Sequence, residues 1–115
     1  MREIVIDTET TGLYYETGDR ITEVGCVELE NYIPTGNTLQ FYCKSDRIIS
    51  KGAKNITGLS DDFLNQQKSF KEHYKELLGF LKNDTLIIHN AKFDLGFINN
   101  ELSIIKHPPL KNPVI

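Results

Sequence analysis

Apolar and polar positions along the chain change period several times, and each change marks an element. Ile4-Val5-Ile6 is a short apolar run that leads straight into Asp7 and Glu9, as a buried strand would. Leu13 to Asp19 is polar, contains Gly18 and reads as a loop. Arg20 to Leu29 is extended, with Val24, Cys26 and Val27 as its apolar positions and Gly25 where a neighbouring backbone or a ligand can come close. The run from Asn31 to Asn37 brings Asn, Pro and Gly together and predicts a turn. From Thr38 to Lys44 the chain alternates cleanly, Leu39, Phe41 and Cys43 against Gln40, Tyr42 and Lys44, which is the period of a half-buried strand. Three strands with short connections predict an antiparallel meander whose most apolar member, the first, is the most central.

The next stretch, Ser45 to Gln67, is irregular and mostly polar, with Asn55-Ile56-Thr57-Gly58-Leu59 as its conspicuous core. Connections of that length are usually functional. Ser69-Phe70-Lys71-Glu72 is a capping box that starts a helix, and Phe70, Tyr74, Leu77, Leu78 and Leu81 form its apolar stripe up to Lys82-Asn83. His73 lies off that stripe and is expected to be solvated. Leu86-Ile87-Ile88 reads as a second interior strand, parallel to the first because a helix precedes it. Asn90 is a good N-cap for a last helix whose core side carries Phe93, Phe97, Ile98, Leu102 and Ile105, and His107-Pro108-Pro109 stops it. The tail ends on Val114-Ile115, two β-branched apolar residues with nothing after them, the ending expected of a chain cut short. There are no internal repeats. The pattern predicts one α/β domain over residues 1–115.

Composition narrows the partners. A formal net charge of −3 and an isoelectric point near 5.6 exclude a broadly basic surface that would grip duplex nucleic acid through many phosphates. A carboxylate site carrying a metal still attracts phosphate locally. The N-terminal residues lack an apolar h-region with a cleavage site and no apolar run approaches membrane-spanning length, so a soluble, cytoplasmic protein without membrane attachment is expected. Cys26 and Cys43 are far apart and lack a C-x-x-C partner, so two buried free thiols are expected rather than a zinc site or a disulfide.

Alternation places Asp7 and Glu9 on one side of an extended chain, where two carboxylates can converge on a hard cation such as Mg²⁺ or Mn²⁺. Taken alone, the pair equally suits a strand end with a solvated Glu9. Asp94 falls in the first turn of the last helix, a favourable place for any negative charge. If the first and fourth strands are parallel neighbours, their C-terminal ends share one edge, and Asp7, Glu9 and Asp94 meet there. Three carboxylates with only Lys92 nearby would repel one another unless a divalent cation compensated them.

The stretch Asp7-Thr8-Glu9-Thr10-Thr11-Gly12-Leu13 and the later His89-Asn90-Ala91-Lys92-Phe93-Asp94 resemble the first and second motifs of the DEDD superfamily of 3′–5′ exonucleases. Within it, Asn55 to Leu64 and Phe97 to Lys106 are most similar to the proofreading (epsilon) subunits of bacterial DNA polymerase III. The resemblance runs from Arg2 to about Lys106. It implies a ribonuclease H-like α/β fold: a mixed sheet with three initial antiparallel strands, a helix, a parallel strand and a helix. It also implies hydrolysis of DNA 3′ ends to nucleoside monophosphates with two Mg²⁺ or Mn²⁺ ions. By that analogy Asp7 bridges both ions, Glu9 helps hold the one that binds the nucleophile, and Asp94 holds the other. Thr10, Thr11, Gly12 and Leu13 would offer backbone N–H groups and an apolar wedge to the terminal nucleotide. Phe93 and Asn90 would line the strand, and Thr57, where relatives often carry histidine, would touch the nucleotide as well. The implied partners are a single-stranded DNA 3′ end and the polymerase III catalytic subunit.

The family completes its site with a histidine followed five positions later by an aspartate on a helix further downstream, and no such pair follows the second motif here. The expectation is therefore a partial exonuclease domain, lacking its C-terminal elements, weakly active or inactive alone, with an apolar face left open where those elements pack. Two alternatives share these residues: a non-catalytic module for nucleic-acid ends or a polymerase, and an RNA-directed DEDD exonuclease.

Overall fold

The computed structural model describes residues 1–44 and 58–115. Four strands form one mixed sheet: β1 (Arg2–Thr10), β2 (Ile21–Glu30), β3 (Ile33–Tyr42) and β4 (Thr85–Ile87), in the order β3-β2-β1-β4. β1 pairs antiparallel with β2 and parallel with β4, which makes the most apolar strand central, as the pattern predicted. Two helices, α2 (Phe70–Leu81) and α3 (Ala91–Ile104), carry the apolar stripes read from the sequence. Ile4, Ile6, Val24, Cys26, Leu39 and Phe41 point from the sheet into one core with Leu77 and Leu81 of α2 and Phe97, Ile98 and Leu102 of α3. Among the described residues no helix is long and apolar enough to cross a membrane.

Several boundaries differ from the sequence reading for identifiable reasons. β1 runs on through Thr10, so Asp7 and Glu9 lie within the strand, paired opposite Gly25 and Glu23, and not beyond its end. The turn expected over 31–37 is only two residues wide. Asn31 and Tyr32 both take positive φ, 51° and 69°, the geometry that matches the twist of a two-residue hairpin, and the outer strand β3 then absorbs Pro34 and Gly36. A register shift between Val27 and Leu29 accommodates that stretch. Within the irregular segment a short helix, α1 (Asp61–Asn65), forms where the Ser60 hydroxyl accepts from the Phe63 N–H at 3.1 Å.

The capping box of α2 is present, with the Glu72 carboxylate accepting from the Ser69 N–H at 3.3 Å. His73 is not a free surface residue: its ring stacks on Phe41 at 4.3 Å and 16°. Asn90 occupies the N-cap position of α3, yet its side chain makes no capping bond. Both cysteines are buried and free, and burial pushes both thiols up to about 12. The tail does not trail away. Leu86 N–H donates to the Pro113 carbonyl at 2.8 Å and Ile115 N–H to the Leu86 carbonyl at 3.0 Å, a parallel bridge along the outer side of β4.

Among the described residues the helices cover one face of the sheet; Val5, Asp7, Gly25, Val27, Thr38 and Gln40 line a pocket on the other side, where Val27 is exposed. Glu3 shares the alternation of Val5 and Asp7 but is only 1% exposed, and neither of its carboxylate oxygens has a hydrogen-bond partner. A buried acceptor without a donor costs the full loss of its hydration. Glu3→Leu should therefore raise stability, by about 1–2 kcal/mol in urea unfolding at neutral pH; an unchanged or lower midpoint would show that the carboxylate finds a partner in solution.

Candidate active site

Period two decides what each residue at the end of β1 can reach. Ile4, Ile6, Thr8 and Thr10 are buried on the helical side, so Asp7 and Glu9 share the opposite side, Asp7 exposed and Glu9 half-buried. Asp94 comes to the strand from the helical side. It is 4% exposed in the first turn of α3, with its N–H donating to the Asn90 carbonyl at 3.1 Å, and its carboxylate accepts a short hydrogen bond from the Thr8 hydroxyl. Thr8 thus stands between the pair on β1 and the acid on α3.

The three carboxylates feel one another. Burial raises the Glu9 carboxyl above its ordinary range, and the charges of Asp7, Glu23 and Asp94 raise it further. Burial likewise raises Asp94; the Thr8 hydroxyl opposes this, Asp7 adds to it, and His89 partly offsets it. Among the described residues, no three His, Cys, Asp or Glu side chains are gathered tightly enough to hold a metal ion as they stand. The donor chemistry nonetheless fits a hard divalent cation: oxygen ligands only, mutually repelling, two of them disfavoured as anions until a positive charge arrives.

Beyond Glu9 the chain turns away through Thr10 and Thr11, both buried. The Thr10 hydroxyl donates to the Gly12 carbonyl at 2.6 Å. Leu13 and Tyr14 then project into solvent, 69% and 60% exposed. A short 3₁₀ turn, Tyr15–Thr17, follows, and its Tyr15 ring meets Phe97 edge-on at 5.4 Å. Leu13, Tyr14, Tyr15, Glu16, Asn90, Lys92, Phe93 and Phe97 line an open pocket of about 320 Å³. Leu13, Asn90 and Phe93 thus line one pocket, and Asp94 follows Phe93 directly in the chain. Thr57 lies outside the described residues.

Sequence reasoning passed over Tyr14, Tyr15 and Asp19. Two adjacent tyrosines directly after the first motif were a readable sign of an aromatic surface. Asp19, 8% exposed inside what read as a polar loop, had no such sign, because its role depends on residues across the loop.

Raised carboxyls give a definite pH dependence. Glu9 and Asp94 hold their protons more tightly folded than unfolded, so the stability they allow is complete below the ordinary carboxylate range and is lost as pH rises through their raised values. In metal-free protein, Asp94→Asn, which keeps an acceptor for Thr8 but carries no charge, should raise the melting midpoint at pH 7 by on the order of 3 °C, with the gain vanishing toward pH 4. A pH-independent loss of stability in EDTA melts would contradict this account.

The chain is 43% identical over 111 residues to DNA polymerase III subunit epsilon of Rickettsia prowazekii (strain Madrid E), a match that covers 96% of this chain and 48% of that protein. It is 41% identical over 110 residues to the Escherichia coli (strain K12) protein of the same name, covering 91% of this chain and 45% of that one. It thus spans about half the length of these relatives. A crystal structure of E. coli exonuclease I in complex with a dA16 oligonucleotide superposes with a TM-score of 0.86 at 18% identity, over 98% of this chain and 27% of that one, which shows a common ribonuclease H-like fold. Residues 4–115 match the exonuclease (RNase_T) family, and the chain belongs to it.

Proposed function

We propose that this chain forms the part of a 3′–5′ exonuclease that receives the 3′ end of single-stranded DNA and supplies Asp7, Glu9 and Asp94 as ligands for divalent ions. The observation that carries this reading is the electrostatic coupling of Asp7 and Glu9 on β1 with Asp94, which opens α3 directly after Phe93, a residue lining the pocket that also holds Leu13 and Asn90. The names of the similar epsilon subunits and the oligonucleotide complex of exonuclease I support it.

On this reading Asp7 and Glu9 would ligate from the strand and Asp94 from the helix, with Mg²⁺ or Mn²⁺ as the ions. A bound pair of such ions lowers the pKa of water and stabilises charge on a scissile phosphate. The protein's own part is to place the strand. Leu13 wedges against the terminal base, and Phe93, packed on Phe97 at 4.8 Å, offers a ring on which that base stacks. Asn90, whose side chain is not spent on capping α3, is available to hydrogen-bond the nucleotide. Thr8 holds the Asp94 carboxylate toward the strand, and Thr10 keeps the backbone of Gly12 folded back so that neighbouring N–H groups can meet a phosphate. Release of a nucleoside monophosphate, service to a polymerase III catalytic subunit and a cytoplasmic setting belong to the same proposal.

Calorimetry with Mn²⁺ and a gel assay on 5′-labelled single-stranded DNA test it together. Asp7→Ala should abolish the Mn²⁺ heat and lower any 3′-shortening by at least about 10²-fold. Unaltered metal binding and digestion in that variant would overturn the assignment, and selective shortening of RNA would redirect the substrate.

A further inference from the structure

Leu13 and Tyr14 are large apolar side chains held out in solvent, and the base beneath them is firmly tied. On one side the Asp19 carboxylate accepts from the Thr11 hydroxyl at 2.9 Å with one oxygen and from the Tyr14 N–H at 3.1 Å with the other. Thr11 in turn accepts from the Arg20 N–H at 3.0 Å and donates its own N–H to the Arg20 carbonyl at 2.8 Å. The fit is close: a Cβ on Gly12 would fall 2.4 Å from an Asp19 oxygen, so the carboxylate lies directly against the Gly12 backbone. On the other side Tyr15 rests on Gly96 of α3, where a Cβ would come within 2.7 Å of its ring. The base is also joined to the far end of α3. The Arg20 guanidinium grips the Glu101 carboxylate at 2.8 and 2.7 Å, and the same carboxylate accepts from the Ile21 N–H at 3.1 Å.

We propose that Asp19 is a positioning residue for the nucleotide end: it fixes the backbone from Gly12 to Tyr14 so that the wedge formed by Leu13 and Tyr14 stands ready opposite Phe93. The inference rests on the functional reading above. Its physical content is preorganisation. A loop already held by a buried carboxylate loses little freedom when a base packs on it, whereas a loop of the same sequence without that acceptor must be ordered by the ligand at the expense of affinity. A simple turn-forming role would make Asp19 matter to folding alone.

The probe is a 5′-fluorescein thymidine tetranucleotide with a free 3′ hydroxyl, measured by anisotropy in Ca²⁺ at a temperature where near-ultraviolet circular dichroism shows each variant folded. Asp19→Asn, which keeps one acceptor oxygen, should bind about threefold more weakly than the unaltered chain. Asp19→Ala, which keeps none, should bind about tenfold more weakly. In both, hydrogen exchange of the Tyr14 amide should lose its protection. Unaltered chain that binds the tetranucleotide while both variants bind equally well would overturn the role of Asp19 alone. Weaker binding with Tyr14 protection intact would overturn positioning as its cause. Failure of the unaltered chain to bind would overturn the functional reading, and the role of Asp19 with it.

Discussion

β1 carries two obligations at once, and the rest of the structure follows from how it meets them. It pairs with β2 along its whole length from Arg2 to Thr10 and with β4 from Glu3 to Val5, so its first half is held on both edges and the stretch carrying Asp7 and Glu9 on one. With the backbone fixed, alternation alone sends Ile4, Ile6 and Thr8 to the helices and Val5, Asp7 and Glu9 to the other side. A one-residue slip would bury both acids and expose the core. Register in this strand is therefore set by hydrophobic burial, and the acids take their placement from that burial.

The acid from α3 joins the site by a different route. Asp94 opens a helix that follows the parallel strand β4, and parallel pairing with β1 brings that helix start to the same edge. The Thr8 hydroxyl bridges the remaining gap. The cost is visible in the raised carboxyls of Glu9 and Asp94, which are less stable as anions than they would be in water. Elsewhere charge is used in the ordinary stabilising way: Glu28 is held down to about 2, first by its hydrogen bond from Arg2. Carboxyls disfavoured as anions at one corner of a well-packed fold are the arrangement that a divalent cation would relieve in the proposed site.

Periodicity made most of this legible. The central strand, the alternating outer strand, the capped helix with its stripe and the parallel fourth strand are all local patterns, and local patterns survive translation into structure. The shared side of Asp7 and Glu9 was legible from strand alternation, whereas their function was not, since the same spacing suits a plain strand end. What escaped depended on contacts between distant residues or on exact backbone shape. The positive φ of Asn31 and Tyr32 turned a broad turn into a tight hairpin, and the Phe41 ring drew His73 off the surface. Asp19 acquired its partners only when the loop closed on Thr11 and Tyr14.

The two thiols give the molecule its own gauge of opening. Cys26 sits in β2 on the helical side of the sheet, and Cys43 follows the end of β3, with its N–H donating to the Thr22 carbonyl at 2.8 Å. Burial that lifts both to about 12 leaves almost no thiolate at neutral pH. An alkylating reagent then reaches either sulfur through molecules in which the surrounding packing has opened, locally or globally. The labelling rate, set against that of the unfolded chain, thus reports on those openings without any probe added to the protein.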